Sequence, residues 1–328
     1  MIITRAPLRI SYIGGGSDYP EFSNIHGGNV VGATINKYVY VVVNDLSEIA
    51  NENLRFTYRQ TESVMHFSEI QHPVVRELMG EFGIKDRINI ATFADLPARV
   101  GLGGSSSFTV ALIKAVEEYR GNEVSPHSIG NTAVKIERDN LKENGGLQDQ
   151  FHASIGGFRH YRFEKKEISY SKPLLSKNSR NYIEKRQLLV WSGESRNSTT
   201  PASVTQTFAM NGDQLVRKVS KLAEKAAQDF VHTISEEEHF DILVDAVRTG
   251  WSLKQEFTSV NTKNVEFIIS QAISNGAKAV KLCGAGESGF VLILAEPINI
   301  VQIQNSLREF KTFIPRFENK GVSTLLKI

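Results

Sequence analysis
The segment Pro97-Ala98-Arg99-Val100-Gly101-Leu102-Gly103-Gly104-Ser105-Ser106-Ser107 runs straight into apolar residues at helical spacing: Phe108, Ala111, Leu112, Ala115, Val116 and Tyr119. Small residues let a backbone approach a polyphosphate closely. The start of a helix supplies unpaired N–H groups and the positive end of its dipole. Serine hydroxyls can add hydrogen bonds or ligate Mg²⁺, a hard, oxygen-seeking cation. A flexible turn with a good N-cap accounts for the same glycines and serines equally well. The P-loop pattern is excluded, because it needs a lysine before Ser/Thr and none stands here. Gly284-Ala285-Gly286-Glu287-Ser288-Gly289 has the G-x-G-x-x-G spacing of a dinucleotide fingerprint. That fingerprint must open a helix, whereas residues 290–294 read as a strand, so a β-hairpin turn beside a nucleotide is the reading.

Two further groups could carry chemistry. Gly14-Gly15-Gly16-Ser17-Asp18 follows Arg9 on the first strand, leaving room for a ligand against bare backbone, and Asp18 can accept from sugar hydroxyls. On local grounds alone a tight turn with an Asx cap is the better account. Glu137 falls on a helix, and Asp149 lies beyond the Gly145-Gly146 break in Leu147-Gln148-Asp149-Gln150. One carboxylate could hold a metal while the other accepts a hydroxyl proton, the two roles that phosphoryl transfer asks for. Taken alone, a single glutamate on a helix reads as a solvated surface charge.

The elements that must position these residues follow from periodicity. Strands are expected at residues 1–12, 37–44 and 88–93, the last leading into the small-residue loop and its helix. Ser125-Pro126 reads as an N-cap with proline at the first helical position, starting a helix that stops near Asn144-Gly145-Gly146. A strand at 187–191 precedes helical patterns at 213–233, 238–259 and 264–275, then strands at 279–282 and 290–294. The fold class predicted is α+β, with a boundary near residues 170–185 dividing the chain into 1–178 and 179–328 and the active site in the cleft between them.

Composition narrows the function classes. The 328 residues are 41% hydrophobic, enough for two cores, and 38 basic residues nearly balance 36 acidic ones for a net charge of +2. The basic residues are scattered rather than striped, so neither nucleic acid nor an anionic membrane is expected as a partner. No apolar run approaches the ~20 residues that span a bilayer. The N-terminus enters strand-like sequence without a leader, and the single cysteine, Cys283, fits a reducing compartment. A cytoplasmic location is expected, with the oligomeric state open between monomer and homodimer.

Together the segments resemble the galactokinase–homoserine kinase–mevalonate kinase–phosphomevalonate kinase (GHMP) superfamily, whose three motifs occur here in order. They are Ala6-Pro7-Leu8-Arg9-Ile10-Ser11-Tyr12-Ile13-Gly14-Gly15-Gly16-Ser17-Asp18-Tyr19, the Pro97–Ser107 loop, and Lys281-Leu282-Cys283-Gly284-Ala285-Gly286-Glu287-Ser288-Gly289-Phe290. The resemblance implies a ribosomal S5-like N-terminal domain, a ferredoxin-like C-terminal domain, and ATP with Mg²⁺ as cofactors. It implies Asp149 and Arg9 as catalytic residues, Gly101, Leu102, Gly103, Gly104, Ser105 and Ser106 on ATP, and Ser105 with Glu137 on the metal. It implies Gly15, Gly16 and Asp18 on the sugar. Two positions depart from the pattern: Gly104 replaces a serine, and Glu287-Ser288 replaces a Gly-Gly pair.

Within the superfamily the chain is most similar to the D-glycero-D-manno-heptose 7-phosphate kinases. Asn36-Lys37-Tyr38-Val39, His72-Pro73-Val74-Val75-Arg76-Glu77 and Gly145-Gly146-Leu147-Gln148-Asp149-Gln150 carry that likeness. It implies phosphorylation of an anomeric hydroxyl to give a heptose 1,7-bisphosphate, on the route to nucleotide-activated heptose for surface polysaccharide. Arg196, in a Ser/Thr-rich loop, and Lys281 are candidate ligands of the 7-phosphate, beside Arg59, His72 and Arg76. Alternatives are a sugar-1-kinase acting on an unphosphorylated sugar and a sugar sensor without transfer activity.

Overall fold
β-Branched and aromatic residues set the first half of the chain into one twisted sheet, and helices fill the gaps between its strands. The computed structural model describes every residue except 85–86, 166, 194–211, 257–261 and 285–288. In order, the elements are β1 (Ile2–Ile13), α1 (Pro20–His26), β2 (Gly28–Asp45), β3 (Leu54–Thr57), β4 (Thr61–Val64), α2 (Pro73–Glu81) and β5 (Ile88–Ala94). Then come α3 (Gly104–Tyr119), α4 (Pro126–Val134) with a π-helical continuation (Lys135–Asn140), α5 (Gln148–Ile155), β6 (Phe158–Glu164) and β7 (Glu167–Tyr170). They are followed by α6 (Lys177–Glu184), β8 (Gln187–Trp191), α7 (Gly212–His232), α8 (Glu236–Gln255) and α9 (Lys263–Ser274). The chain ends with β9 (Ala279–Leu282), β10 (Phe290–Leu294), α10 (Pro297–Ser306), β11 (Thr312–Phe313) and β12 (Ser323–Lys327).

Among the described residues the strands form two sheets. The first runs β12-β1-β2-β5-β3-β4, with β6 also pairing β2 and β7 pairing β6; the second runs β11-β8-β10-β9. The architecture is α+β, as predicted. β2 exceeds the expected 37–44 because its first half, Gly28–Ala33, pairs with β6 while its second half pairs with β5. Those early residues carry little strand propensity of their own and are recruited by pairing. β9 and β10 pair antiparallel, and residues 290–294 form a strand as expected, with 285–288 between the two outside the described residues.

α3 lies against β1 and β2 and buries residues 106–113 almost continuously. One apolar core joins Leu8, Ile10, Val41 and Leu112 to Phe240, Val247 and Leu292, so α8 and the second sheet pack onto the first. The other face of the second sheet, with Leu188, Val190 and Val291, closes over α9 and α10 through Val265, Ile268, Ile300 and Ile303. β12 returns from the C-terminus to pair antiparallel with β1. The last segment of the chain therefore sits in the first sheet. Among the described residues no helix is long and apolar enough to cross a membrane.

Candidate active site
The strand β1 delivers Arg9 to the point where three segments meet. Register shifts in the β1–β2 ladder fall between Pro7 and Leu8 and between Ser11 and Ile13, on either side of it. Such irregularities re-aim side chains at functional sites. Arg9 is buried, at 6% exposure. Its Nε and Nη2 donate to the two carboxylate oxygens of Asp149, each at 2.7 Å, and Nη1 donates to the Gly101 carbonyl at 2.7 Å. The backbone N–H of Arg9 donates to the Leu102 carbonyl at 3.0 Å. One guanidinium thus joins the strand, the small-residue loop and the first turn of α5, and its bidentate fork fixes the plane of the Asp149 carboxylate. Sequence periodicity gave no element at Asp149; the short helix α5 places it.

The loop at 101–106 leads into α3 without the side-chain N-cap that one of its two readings expected. Gly103 precedes the helix in a left-handed conformation, and no side chain caps α3. The N–H groups of its first turn are left for an anion. Gly101 has φ +85°, and a Cβ there would stand 2.5 Å from the Cys283 carbonyl. The β9–β10 hairpin lies directly against this loop, with the Phe290 N–H donating to Val100 at 3.2 Å and Lys254 Nζ donating to Gly284 at 2.7 Å. Glu287 and Ser288, the substituted pair, lie outside the described residues, as does Arg196.

The metal pair differs from the expectation in one residue. Ser106, not Ser105, meets Glu137: its Oγ donates to Oε2 at 2.8 Å, while Ser105 is exposed. Successive helical residues point about 100° apart, so only one of the two can face Glu137, and burial selects Ser106. Glu137 lies in the π-helical continuation of α4, where the Leu141 N–H bonds back to Ile136 at 3.0 Å, and such turns favour functional sites. Gln150 Nε2 also donates to Oε2, while the Thr109 hydroxyl donates to the Ser105 carbonyl. Sequence reasoning missed Gln150 as a partner of Glu137, although it stood in the quoted Gln148-Asp149-Gln150 run.

Burial raises the Glu137 carboxyl from 4.5 to about 7, against the lowering pull of Thr109, Gln150 and Ser106. Its other oxygen, Oε1, is buried without a partner. The donor set of one carboxylate and one hydroxyl fits Mg²⁺, which commonly takes one or two protein oxygens and completes its shell with water and substrate phosphates. Among the described residues no cluster of three acidic, histidine or cysteine side chains offers a dedicated metal cage.

Of the candidate substrate contacts with charged side chains, Asp18 and Lys281 are engaged with backbone groups. Asp18 is fully buried, its Oδ1 accepting the Gly16 N–H at 3.0 Å and its Oδ2 the Gln148 N–H at 3.1 Å. Burial, and then the Asp149 charge, push its carboxyl up, while the backbone bonds oppose that. Asp18 holds the start of α5 in place, and Gly146 is a glycine because a Cβ there would sit 1.9 Å from Oδ2. Lys281 Nζ donates to the carbonyls of Ser11 at 2.6 Å and Tyr12 at 2.9 Å. Burial lowers it to about 8, with Cys283 opposing and Arg9 adding to the shift. A Cβ on Gly15 would meet only Ser11 and Gln148 side-chain atoms at ordinary contact distance, and one on Gly16 meets nothing within 4 Å.

The chain is similar to known small-molecule kinases in sequence and in fold. Residues 69–157 match the GHMP kinases N terminal domain. The chain is 26% identical over 339 aligned positions to the D-glycero-alpha-D-manno-heptose 7-phosphate kinase of Campylobacter jejuni, covering 96% of each. It superposes with a TM-score of 0.80 on a D-glycero-D-manno-heptose 1-phosphate kinase from Bacteroides thetaiotaomicron, at 22% identity and covering 100% and 99% of the two chains. The galactokinase of Lactococcus lactis, solved with galactose, gives a TM-score of 0.75 at 14% identity, covering 99% and 95%. The matched segment contains the small-residue loop, Glu137 and Asp149, and the chain is similar to GHMP kinases along its whole length.

Proposed function
We propose that this kinase transfers the γ-phosphoryl group of MgATP to the anomeric hydroxyl of D-glycero-D-manno-heptose 7-phosphate. The product, a 1,7-bisphosphate, would feed the synthesis of nucleotide-activated heptose for surface polysaccharide. The observation that carries the reading is the bidentate Arg9–Asp149 pair at the mouth of an uncapped α3. The end-to-end likeness to a heptose 7-phosphate kinase supports the choice of sugar.

The chain's own residues divide the work. Amides of Gly101, Leu102, Gly103, Gly104, Ser105 and Ser106 hold the polyphosphate. Ser106 and Glu137 hold Mg²⁺, which when bound neutralises charge on the phosphate oxygens. Each Asp149 oxygen accepts one bond from Arg9 and keeps a further lone pair for the acceptor hydroxyl. As the sugar oxygen bonds to the γ-phosphorus and the bond to the β–γ bridging oxygen breaks, the hydroxyl proton passes to Asp149 and ADP leaves. Arg9 orients the base and sits beside the transferring charge. Gly15 and Gly16 leave the sugar its room.

Asp149→Asn keeps the shape and removes the base. A fall in kcat of about 10²–10⁴-fold is expected, the range a positioned general base contributes. ADP release measured with heptose 7-phosphate reads the fall, and near-normal turnover in a normally folded variant removes Asp149 from this role. A second reading, an acceptor without a 7-phosphate, is favoured by one observation: the Lys281 ammonium is already committed to two carbonyls. Turnover of heptose 7-phosphate beside free sugars decides between them.

A further inference from the structure
Two polar groups beside the Arg9–Asp149 pair have no part in that chemistry. Ser11 Oγ and Gln148 Oε1 are both buried, and neither meets a hydrogen-bonding partner. Ser11 follows Arg9 by two positions on β1, so the two side chains leave the same face of the strand. Gln148 directly precedes Asp149 at the start of α5. Both reach the same place: a Cβ on Gly15 would stand 3.5 Å from Ser11 Oγ and 3.6 Å from Gln148 Nε2.

Their backbones are held from below. The Ser11 carbonyl accepts from Lys281, and the Gln148 N–H is bound by Asp18. Buried polar atoms are normally paired, and an unpaired pair on rigid supports, converging over a residue without a side chain, calls for a ligand that supplies the missing bonds. A hydroxyl can donate to an amide oxygen and accept from a serine at once. A sugar presents such a hydroxyl next to the one being phosphorylated, just as Gln148 stands next to Asp149.

We propose that Ser11 and Gln148 are specificity-determining residues that bind the acceptor hydroxyl adjacent to the phosphorylated one, Gln148 Oε1 accepting from it and Ser11 Oγ donating to it. The proposal rests on the sugar-kinase reading and assigns its ring-hydroxyl contacts. A site built to pair a hydroxyl rejects the analogue that lacks it, because its own polar groups are then left bare.

The test compares D-glycero-D-manno-heptose 7-phosphate with its 2-deoxy analogue in wild type, Gln148→Met and Ser11→Ala. Wild type is expected to favour the parent sugar by about 10²-fold or more in kcat/KM. Gln148→Met should lose most of that preference by falling on the parent sugar while scarcely changing on the deoxy analogue, and Ser11→Ala should do the same to a lesser degree. Gln148→Glu, which keeps an acceptor oxygen, should restore part of the preference. Gly15→Ala meets only ordinary contacts within the protein. It should raise KM for the sugar while its unfolding midpoint stays near wild type. Equal loss on both acceptors in Gln148→Met, or a wild type that does not discriminate, overturns the assignment while leaving the kinase reading intact. No wild-type turnover of any sugar phosphate overturns both.

Discussion
At Glu137 a proton would compete with the Mg²⁺ proposed there for the same buried oxygens. Its carboxyl is raised from 4.5 to about 7, so the folded protein binds a proton there more tightly than the unfolded chain does. The resulting stability is fully present below about pH 4.5 and is lost as pH rises through 7, where the buried group must ionise. Glu137→Gln, neutral at every pH, should therefore be more stable than the metal-free wild type at pH 8. The difference, at most on the order of 3 kcal/mol, should close as pH falls toward 4.5. Urea unfolding at pH 5 and pH 8 reads it, and a gap that ignores pH would contradict the burial of an ionisable group. The same proton must leave before Mg²⁺ binds, so Mg²⁺ affinity should weaken as pH drops below 7, by up to about tenfold per unit, and Glu137→Gln should lose that dependence.

α3 is the element on which the site depends, and its start is built from conformations that only glycine enters cheaply. Gly101→Ala would place a β-carbon at φ +85° against the Cys283 carbonyl of the second sheet. Strain of this kind costs on the order of 1–3 kcal/mol. The expected outcome is lower stability in a denaturant titration together with weaker MgATP binding, because the loop cannot shift without moving its amides. Ser107 supports the same turn, its Oγ within hydrogen-bonding distance of the Pro7 carbonyl at 2.9 Å and the Gly103 carbonyl at 3.0 Å. Ser107→Ala should cost about 1 kcal/mol, seen as a lower unfolding midpoint with the catalytic residues untouched.

Across the whole molecule, the two sheets are joined through a shared core and through side chains that cross between them. Lys281 on β9 holds the carbonyls of β1, and Lys254 on α8 holds the hairpin turn that lies on the phosphate loop. β12 closes the outer edge of β1. Removing residues 323–328 should leave β1 as an open edge, lower the melting temperature and promote association, followed by light scattering during a thermal ramp. Retention of wild-type melting and solubility would show that the C-terminal strand is dispensable.

Much of this was legible in the residues, and the missing part has a physical pattern. The Ser125 cap with Pro126, the strand–loop–helix into α3, the β9–β10 hairpin and the long amphipathic helices are local events, decided by neighbours within a few positions. The family resemblance likewise singled out Arg9, the glycine–serine loop, Glu137 and Asp149, and the structure brings Arg9 against both Asp149 and the loop. Which serine faces Glu137 was not legible, since it depends on the rotation of α3 against a π-helical turn more than thirty positions away. Nor could the sequence show that Asp18 and Lys281 are spent on backbone groups, or that Ser11 and Gln148 converge unpaired. Those outcomes are set by long-range packing, where burial decides which polar atoms find partners and which are left for a ligand.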